Sequence, residues 1–171
     1  MKSSATTLPA GAFTDPGLPA GFAPFGIQAI GGNIFVTYAK QVAGSNDEAH
    51  GQGLGAVDVY DANGKLLSRV AMRGLLNAPW GIAQAPAKFG KFSNSLLVGN
   101  FGDGSIIAYD TKNFTPQGPL HGQDGHVLHI DGLWGIAFGN DHMDQPSTTL
   151  FFAAGPDDEQ HGLYGRIDVA Q

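Results

Sequence analysis

Apolar residues in this chain fall in short runs, and between them lie stretches rich in glycine, proline and acidic residues. Three runs, "NIFVTYA" (33–39), "SLLVGN" (95–100) and "TLFFAA" (149–154), are each followed by a polar loop and a second run. The second runs are "GAVDVYD" (55–61), "GSIIAYD" (104–110) and "LYGRIDV" (163–169). Apolar residues alternate with polar or small ones in these segments, which predicts half-buried β-strands. "DANGK" (61–65) carries the Asn-Gly signal of a hairpin and leads into a further strand, "LLSRVAM". No segment has helical periodicity.

A phrase recurs ahead of each strand pair: "PFGIQAI" (24–30), "PWGIAQA" (79–85) and "LWGIAFG" (133–139). Its aromatic-Gly-Ile core is Phe25-Gly26-Ile27, Trp80-Gly81-Ile82 and Trp134-Gly135-Ile136, with the glycines 55 and then 54 residues apart. A fixed period of this size with four short antiparallel strands per unit predicts an all-β chain built as a β-propeller. The blades span approximately 24–75, 79–125 and 133–171, within a single three-blade domain covering 1–171.

Three blades alone leave two raw sheet edges, since propellers close with about four to eight. The third unit has three strands, and "GAFTD" (11–15) reads as an extra strand ahead of the first. The tally of one, four, four and three strands completes three blades, or half of a six-bladed ring. Two readings follow: a head-to-tail homodimer in which each residue 11–15 strand closes the partner's last blade, or half of a longer chain. A stable monomer is not expected.

Composition narrows the function classes. The net charge is −6, 14% of residues are charged, and no Lys/Arg cluster occurs. Neither nucleic acid nor an anionic membrane is an expected partner; a cation or a neutral small molecule is. There is no cysteine, which excludes thiolate metal sites and a cysteine nucleophile. No apolar run approaches membrane-spanning length. "MKSSATTLPAGAF" lacks the apolar core of a secretory signal.

The stretch "PWGIA…LLVGNFGDGSIIAYD" (79–110) resembles an NHL-type propeller repeat, and the wider group of six-bladed propellers that includes calcium-dependent lactonases and gluconolactonase-type enzymes. "LPAGFAPFGI", "NAPWGIA", "LLVGNFGDG" and "IDGLWGIAFGN" together resemble an uncharacterised exported bacterial propeller family often found with PEP-CTERM tails. That resemblance runs from about Phe13 to Ile167, corresponds to a C-terminal half, and implies a secreted or cell-surface location.

In such a blade, the loop leading into the first strand and the loop between strands two and three open on one face. The former supply Phe22, Asn77 and Asp131. The latter supply Asp47, Glu48 and His50, then Asn100 and Asp103, then Asp157, Asp158, Glu159 and His161. Two of these loops nearly repeat each other, "GSNDEAHG" (44–51) and "GPDDEQHG" (155–162). Clustered Asp, Asn and Glu oxygens suit Ca²⁺, and imidazoles shift the preference toward Zn²⁺.

The lactonase resemblance implies a metal-dependent hydrolase of lactones or esters, acyl-homoserine lactones among them. A divalent metal, Ca²⁺ first and Zn²⁺ second, is expected on Asn77, Asn100, Asp103 and Asp131. His129, His50 and His161 are the candidate bases. Phe25, Trp80 and Trp134, with Asp47, Glu48, Asp158 and Glu159, are candidates for contacting substrate. The alternative is a non-enzymatic extracellular binding or scaffold module, in which the loop Asp and Asn residues only brace turns and the repeat aromatics only pack between blades. No G-x-S-x-G elbow is present, which disfavours a serine nucleophile.

Overall fold

The repeat phrase forms the first strand of each of three antiparallel sheets in the computed structural model, which describes residues 7–170. The first sheet runs β1 (Phe22–Ile30), β2 (Asn33–Lys40), β3 (Gly55–Tyr60) and β4 (Leu66–Met72), in spatial order as in sequence. The second repeats this with β5 (Pro79–Gln84), β6 (Leu96–Asn100), β7 (Ile106–Tyr109) and β8 (Pro116–Pro119), with one turn of 3₁₀-helix at Gly90–Phe92. The third has β9 (Leu133–Phe138), β10 (Leu150–Ala154) and β11 (Leu163–Ile167).

Each aromatic-Gly-Ile segment carries a β-bulge. Pairing of β1 with β2 slips between Pro24 and Gly26, that of β5 with β6 between Pro79 and Ile82, and that of β9 with β10 between Leu133 and Ile136. An extra residue on the first strand re-aims the side chain at the bulge. The glycine next to it lets neighbouring sheets meet backbone to backbone: a Cβ on Gly26 would lie 2.4 Å from the Trp80 carbonyl oxygen, and one on Gly81 2.7 Å from that of Trp134.

Two apolar layers fill the spaces between sheets. Phe35, Val57, Val59 and Val70 of the first sheet meet Ile82, Leu96, Val98 and Ile107 of the second. Leu97, Ile106 and Ala108 on the second sheet's other face meet Leu133, Ile136 and Leu150 of the third. Strands β3, β6 and β7 are therefore buried on both faces, not on one as their alternation suggested. Small or polar side chains such as Ala56, Asp58, Gly99 and Ala108 fit because neighbours cover them.

Residues 11–15 are not a strand. Phe13 sits at φ 57° with its N–H bonded to the Gly64 carbonyl at 2.7 Å, and Gly11 is also left-handed at 79°. The segment turns back over the outer face of the first sheet, where Phe13 packs 5.4 Å from the Tyr60 ring and joins Val36, Tyr38 and Leu18. Tertiary burial of one aromatic overrides the strand pattern here. The described residues thus form eleven strands, and β11, paired with β10 alone, is an edge strand among them.

Under that segment lies a buried polar chain. Asp15 and Asp58 both pair with Arg69, the latter at 3.0 Å, and the Tyr38 and Tyr60 hydroxyls meet at 2.6 Å. Burial pushes the Asp58 carboxyl up to about 6, partly opposed by its bond to Tyr60. Burial, followed by the bond to Tyr60, also raises Tyr38. In "DANGK" only Gly64 is left-handed, at φ 81°, and Asp61 Oδ1 accepts from Asn63 N and Lys65 N at 2.9 Å each. The turn is held by an aspartate side chain and not by two left-handed central residues.

Candidate functional site

Short strands with long connections at one end bring the loops of all three sheets to a common cavity of about 410 Å³. His50 enters from the β2–β3 loop; Phe101, Gly102 and Asp103 from β6–β7; and Asp158 and Glu159 from β10–β11. His129, Asp131 and Gly132 come from the segment leading into β9.

Beneath the cavity runs a network that fixes these loops. Asn100 is fully buried: its Oδ1 accepts from Asn77 N at 3.0 Å, and its Nδ2 donates to Leu75 O at 2.8 Å and Ser105 Oγ at 3.0 Å. Asn77 Oδ1 accepts from Gly51 N at 2.7 Å, reaching across to the first sheet's loop, and its Nδ2 donates to Asp103 Oδ2 at 3.3 Å. Asp103 Oδ1 takes both Ser105 N, at 3.0 Å, and Ser105 Oγ, at 2.6 Å. In the third sheet Asp131 holds the equivalent position to Asn77 and accepts from Asp157 N at 3.1 Å.

These bonds bear on the expected metal. Asn100 is fully buried and does not line the cavity, and Asn77 is a staple between two loops. Of the four expected ligands, Asp103 and Asp131 line the cavity. Among the described residues no group of three or more His, Asp or Glu side chains stands close enough to share one ion.

The histidines divide. His50 Nε2 lies 3.1 Å from Glu48 Oε1, with its ring edge-on to Phe101 at 5.4 Å. His129 Nδ1 lies 2.8 Å from the Asp103 carbonyl. A carbonyl only accepts, so Nδ1 carries the proton and the neutral ring keeps Nε2 as its basic atom. His161 lies outside the cavity, 69% exposed, and pairs with Asp157 at 3.7 Å.

Among the aromatic candidates, Trp134 Nε1 donates to Glu159 Oε1 at 2.7 Å and so fixes a cavity carboxylate. Phe25 and Trp80 touch at 4.7 Å and meet Phe101 at 6.0 and 6.1 Å, a cluster that bridges the first two sheets beside His50. Asp47 accepts from Ser45 Oγ at 2.5 Å and is turned into its own loop. Sequence reading missed Phe101 and Ser105. Ser105 stands in "NFGDGS", where Asp two residues before Ser is the signal of a side-chain-braced turn. Phe101 has no aromatic counterpart in the other repeats and gave no periodic signal.

No family model matches the chain. Two uncharacterised proteins of Acanthamoeba polyphaga mimivirus are 36% and 35% identical to it over 155 residues, covering 90% of this chain and 37% and 40% of theirs. A third from the same virus is 36% identical over 123 residues, 71% of this chain and 23% of its own length. The chain spans about two fifths of the two longer-matching relatives.

Proposed function

We propose that the three sheets are successive blades of an NHL-like β-propeller and that the cavity at their loop end hydrolyses small esters or lactones. The observation that carries the reading is the Glu48–His50 pair at 3.1 Å, with the imidazole opening on a cavity that also holds His129. A carboxylate behind an imidazole orients the ring and stabilises its protonated form, which is the arrangement a general base needs. The period of the aromatic-Gly-Ile bulges and the side-by-side β1, β5 and β9 support the propeller.

Water activation falls to the imidazoles in this reading. His50 takes a proton from water as its oxygen adds to the substrate carbonyl carbon. The carbon–oxygen bond of the ester or lactone then breaks, and the leaving alkoxide takes a proton from an imidazolium, giving acid and alcohol. Glu159, fixed by Trp134, and Asp103 and Asp131 make the cavity acidic, which favours neutral or cationic substrates over anionic ones. Proton transfer by a positioned base contributes about 10²–10⁴-fold.

A second reading, a binding module without catalysis, is supported by the Asn77–Asn100 network, because those amides brace the loops. One assay separates the two. Aryl esters and acyl-homoserine lactones are incubated with the protein alone and with added Ca²⁺, Zn²⁺ or Mn²⁺. Turnover that falls in Glu48→Gln and His50→Gln supports hydrolysis; intact substrates in every arm leave the binding module.

A further inference from the structure

Residues 12–18 cross the outer face of the first sheet between two left-handed glycines, Gly11 at φ 79° and Gly21 at 81°. Phe13 and Leu18 rest on the apolar group that holds Tyr38 and Tyr60. Polar ties to the sheet are few: Phe13 N donates to Gly64 O at 2.7 Å, Arg69 Nη1 reaches Gly17 O at 3.5 Å, and Asp15 pairs with Arg69. Further bonds are internal, Gly17 N to Asp15 Oδ1 at 2.8 Å and Leu18 N to Asp15 O at 3.2 Å. A segment braced within itself and joined to its support at few points can lift as one unit.

Beneath it lies Asp58, on the same face of β3 as Ala56 and Tyr60, with no exposed side-chain surface. Its Oδ1 accepts from Arg69 Nε at 3.0 Å. Its Oδ2 is buried without a well-formed hydrogen bond among the described residues, the Tyr60 hydroxyl being engaged with that of Tyr38 at 2.6 Å. The titratable and charged groups around it are Arg69 from β4, Tyr60 from β3, Tyr38 from β2 and, across the guanidinium, Asp15 from the segment. One guanidinium therefore serves two buried carboxylates. With both ionised, a net negative charge is enclosed and Asp58 Oδ2 bears charge with no donor, which is unfavourable. A proton on Asp58 relieves both. We propose that residues 12–18 form a latch that stays closed while Asp58 beneath it holds a proton and opens as that proton leaves.

Burial holds the Asp58 carboxyl up at about 6 with the latch closed. Opening admits water, and the carboxyl returns toward the usual aspartate range. The closed form binds the proton more tightly, so closure is strongest below the usual aspartate value and weakens as pH rises through about 6. Opening solvates Phe13 and the Tyr38–Tyr60 hydroxyl pair, 3% and 0% exposed when closed. None of these residues lines the loop cavity, so the latch and the hydrolytic reading stand or fall separately.

Amide hydrogen exchange reads opening at Phe13, whose N–H is bonded to Gly64 O, and global unfolding at the buried β6. After correction for base-catalysed exchange, Phe13 protection is expected to fall about tenfold between pH 4.5 and pH 7 and to stay well below that of β6. In Asp58→Asn it should hold within about twofold over the same range. Phe13→Ala leaves the bonds within the sheet in place and supplies a second reading. With the latch loosened, the Asp58 carboxyl, followed by its ¹³C shift, should titrate at least about one pH unit lower than in the unmodified protein. Phe13 protection that is flat with pH, or that falls equally in Asp58→Asn, overturns the latch. Protection at Phe13 equal to that of β6 throughout, or an Asp58 titration unmoved by Phe13→Ala, overturns it as well.

Discussion

The two loops that read alike, "GSNDEAHG" and "GPDDEQHG", fold differently and deliver different residues to the cavity. The first lies in the longer β2–β3 connection, residues 41–54, and bends back on β2: Val42 N bonds Asp47 O at 2.9 Å and Ala49 N bonds Lys40 O at 2.6 Å. That places Glu48 behind His50 and points the imidazole into the cavity. The second fills the whole β10–β11 connection, residues 155–162, and coils left-handed through Asp157, Asp158 and Glu159 at φ 57°, 51° and 62°. Three consecutive non-glycine residues in that region are unusual, since the left-handed conformation is normally visited singly. The coil puts Glu159 in the cavity on Trp134 and leaves His161 in solvent. Loop length and backbone hand, not the shared letters, decide which group faces inward.

Several substitutions would break or sharpen this contrast. Removing the foundation shared by both halves should cost most: Asn100→Ala orphans Asn77 N and Leu75 O, and a loss of about 3 kcal/mol is expected in urea unfolding. Next is Gly155→Ala at the root of the coiled loop, where a Cβ would lie 2.3 Å from Trp134 Cζ2. About 2 kcal/mol should be lost; Gly51→Ala in the other loop meets only the far end of the Leu54 side chain but sits at φ 155°, which strains any Cβ, so a comparable loss of about 1–2 kcal/mol is expected there.

Asp58 offers a third acidic environment, buried where the loop carboxylates are exposed. Its carboxyl is pushed up to about 6 by burial, so between the usual aspartate value and 6 the folded state holds the proton that the unfolded state has released. Stability from this group is therefore greatest at low pH and falls as pH rises through that window. Relative to Asp58→Asn, the unmodified protein should lose on the order of 1 kcal/mol between pH 4 and pH 6.5, the neighbouring Arg69 cation offsetting the rest. A melting-temperature difference between the two that stays flat across this range contradicts the assignment. The smallest effect belongs to Trp134→Phe, which keeps the ring but frees Glu159; less than about 1 kcal/mol is expected, with faster amide exchange confined to residues 155–162.

The strand order was legible because the aromatic-Gly-Ile phrase marks each first strand and Gly26 and Gly81 mark where sheets touch. The third-sheet strands followed from the same phrase. Residues 11–15 were not legible as a turn, because what bends them is the burial of Phe13 against Tyr60, a contact with no local signal. At the cavity, Asp103, Asp131, His50 and His129 were readable from the loops that strand order brings together. The internal commitment of Asn77 and Asn100 was not, since an amide at a strand end looks the same whether it faces a ligand or staples two loops. The left-handed coil of Asp157-Asp158-Glu159 was hidden for a related reason: acidic residues tolerate that region without requiring it.

The most direct test of the account is the contrast between the two loop histidines. Turnover of the ester and lactone substrates is compared in the unmodified protein, His50→Gln and His161→Gln, each checked for unchanged stability. A cavity served by the first loop's imidazole predicts kcat/KM lowered about 100-fold or more in His50→Gln and held within about twofold in His161→Gln. Equal loss in both variants, or loss in His161→Gln alone, would contradict it.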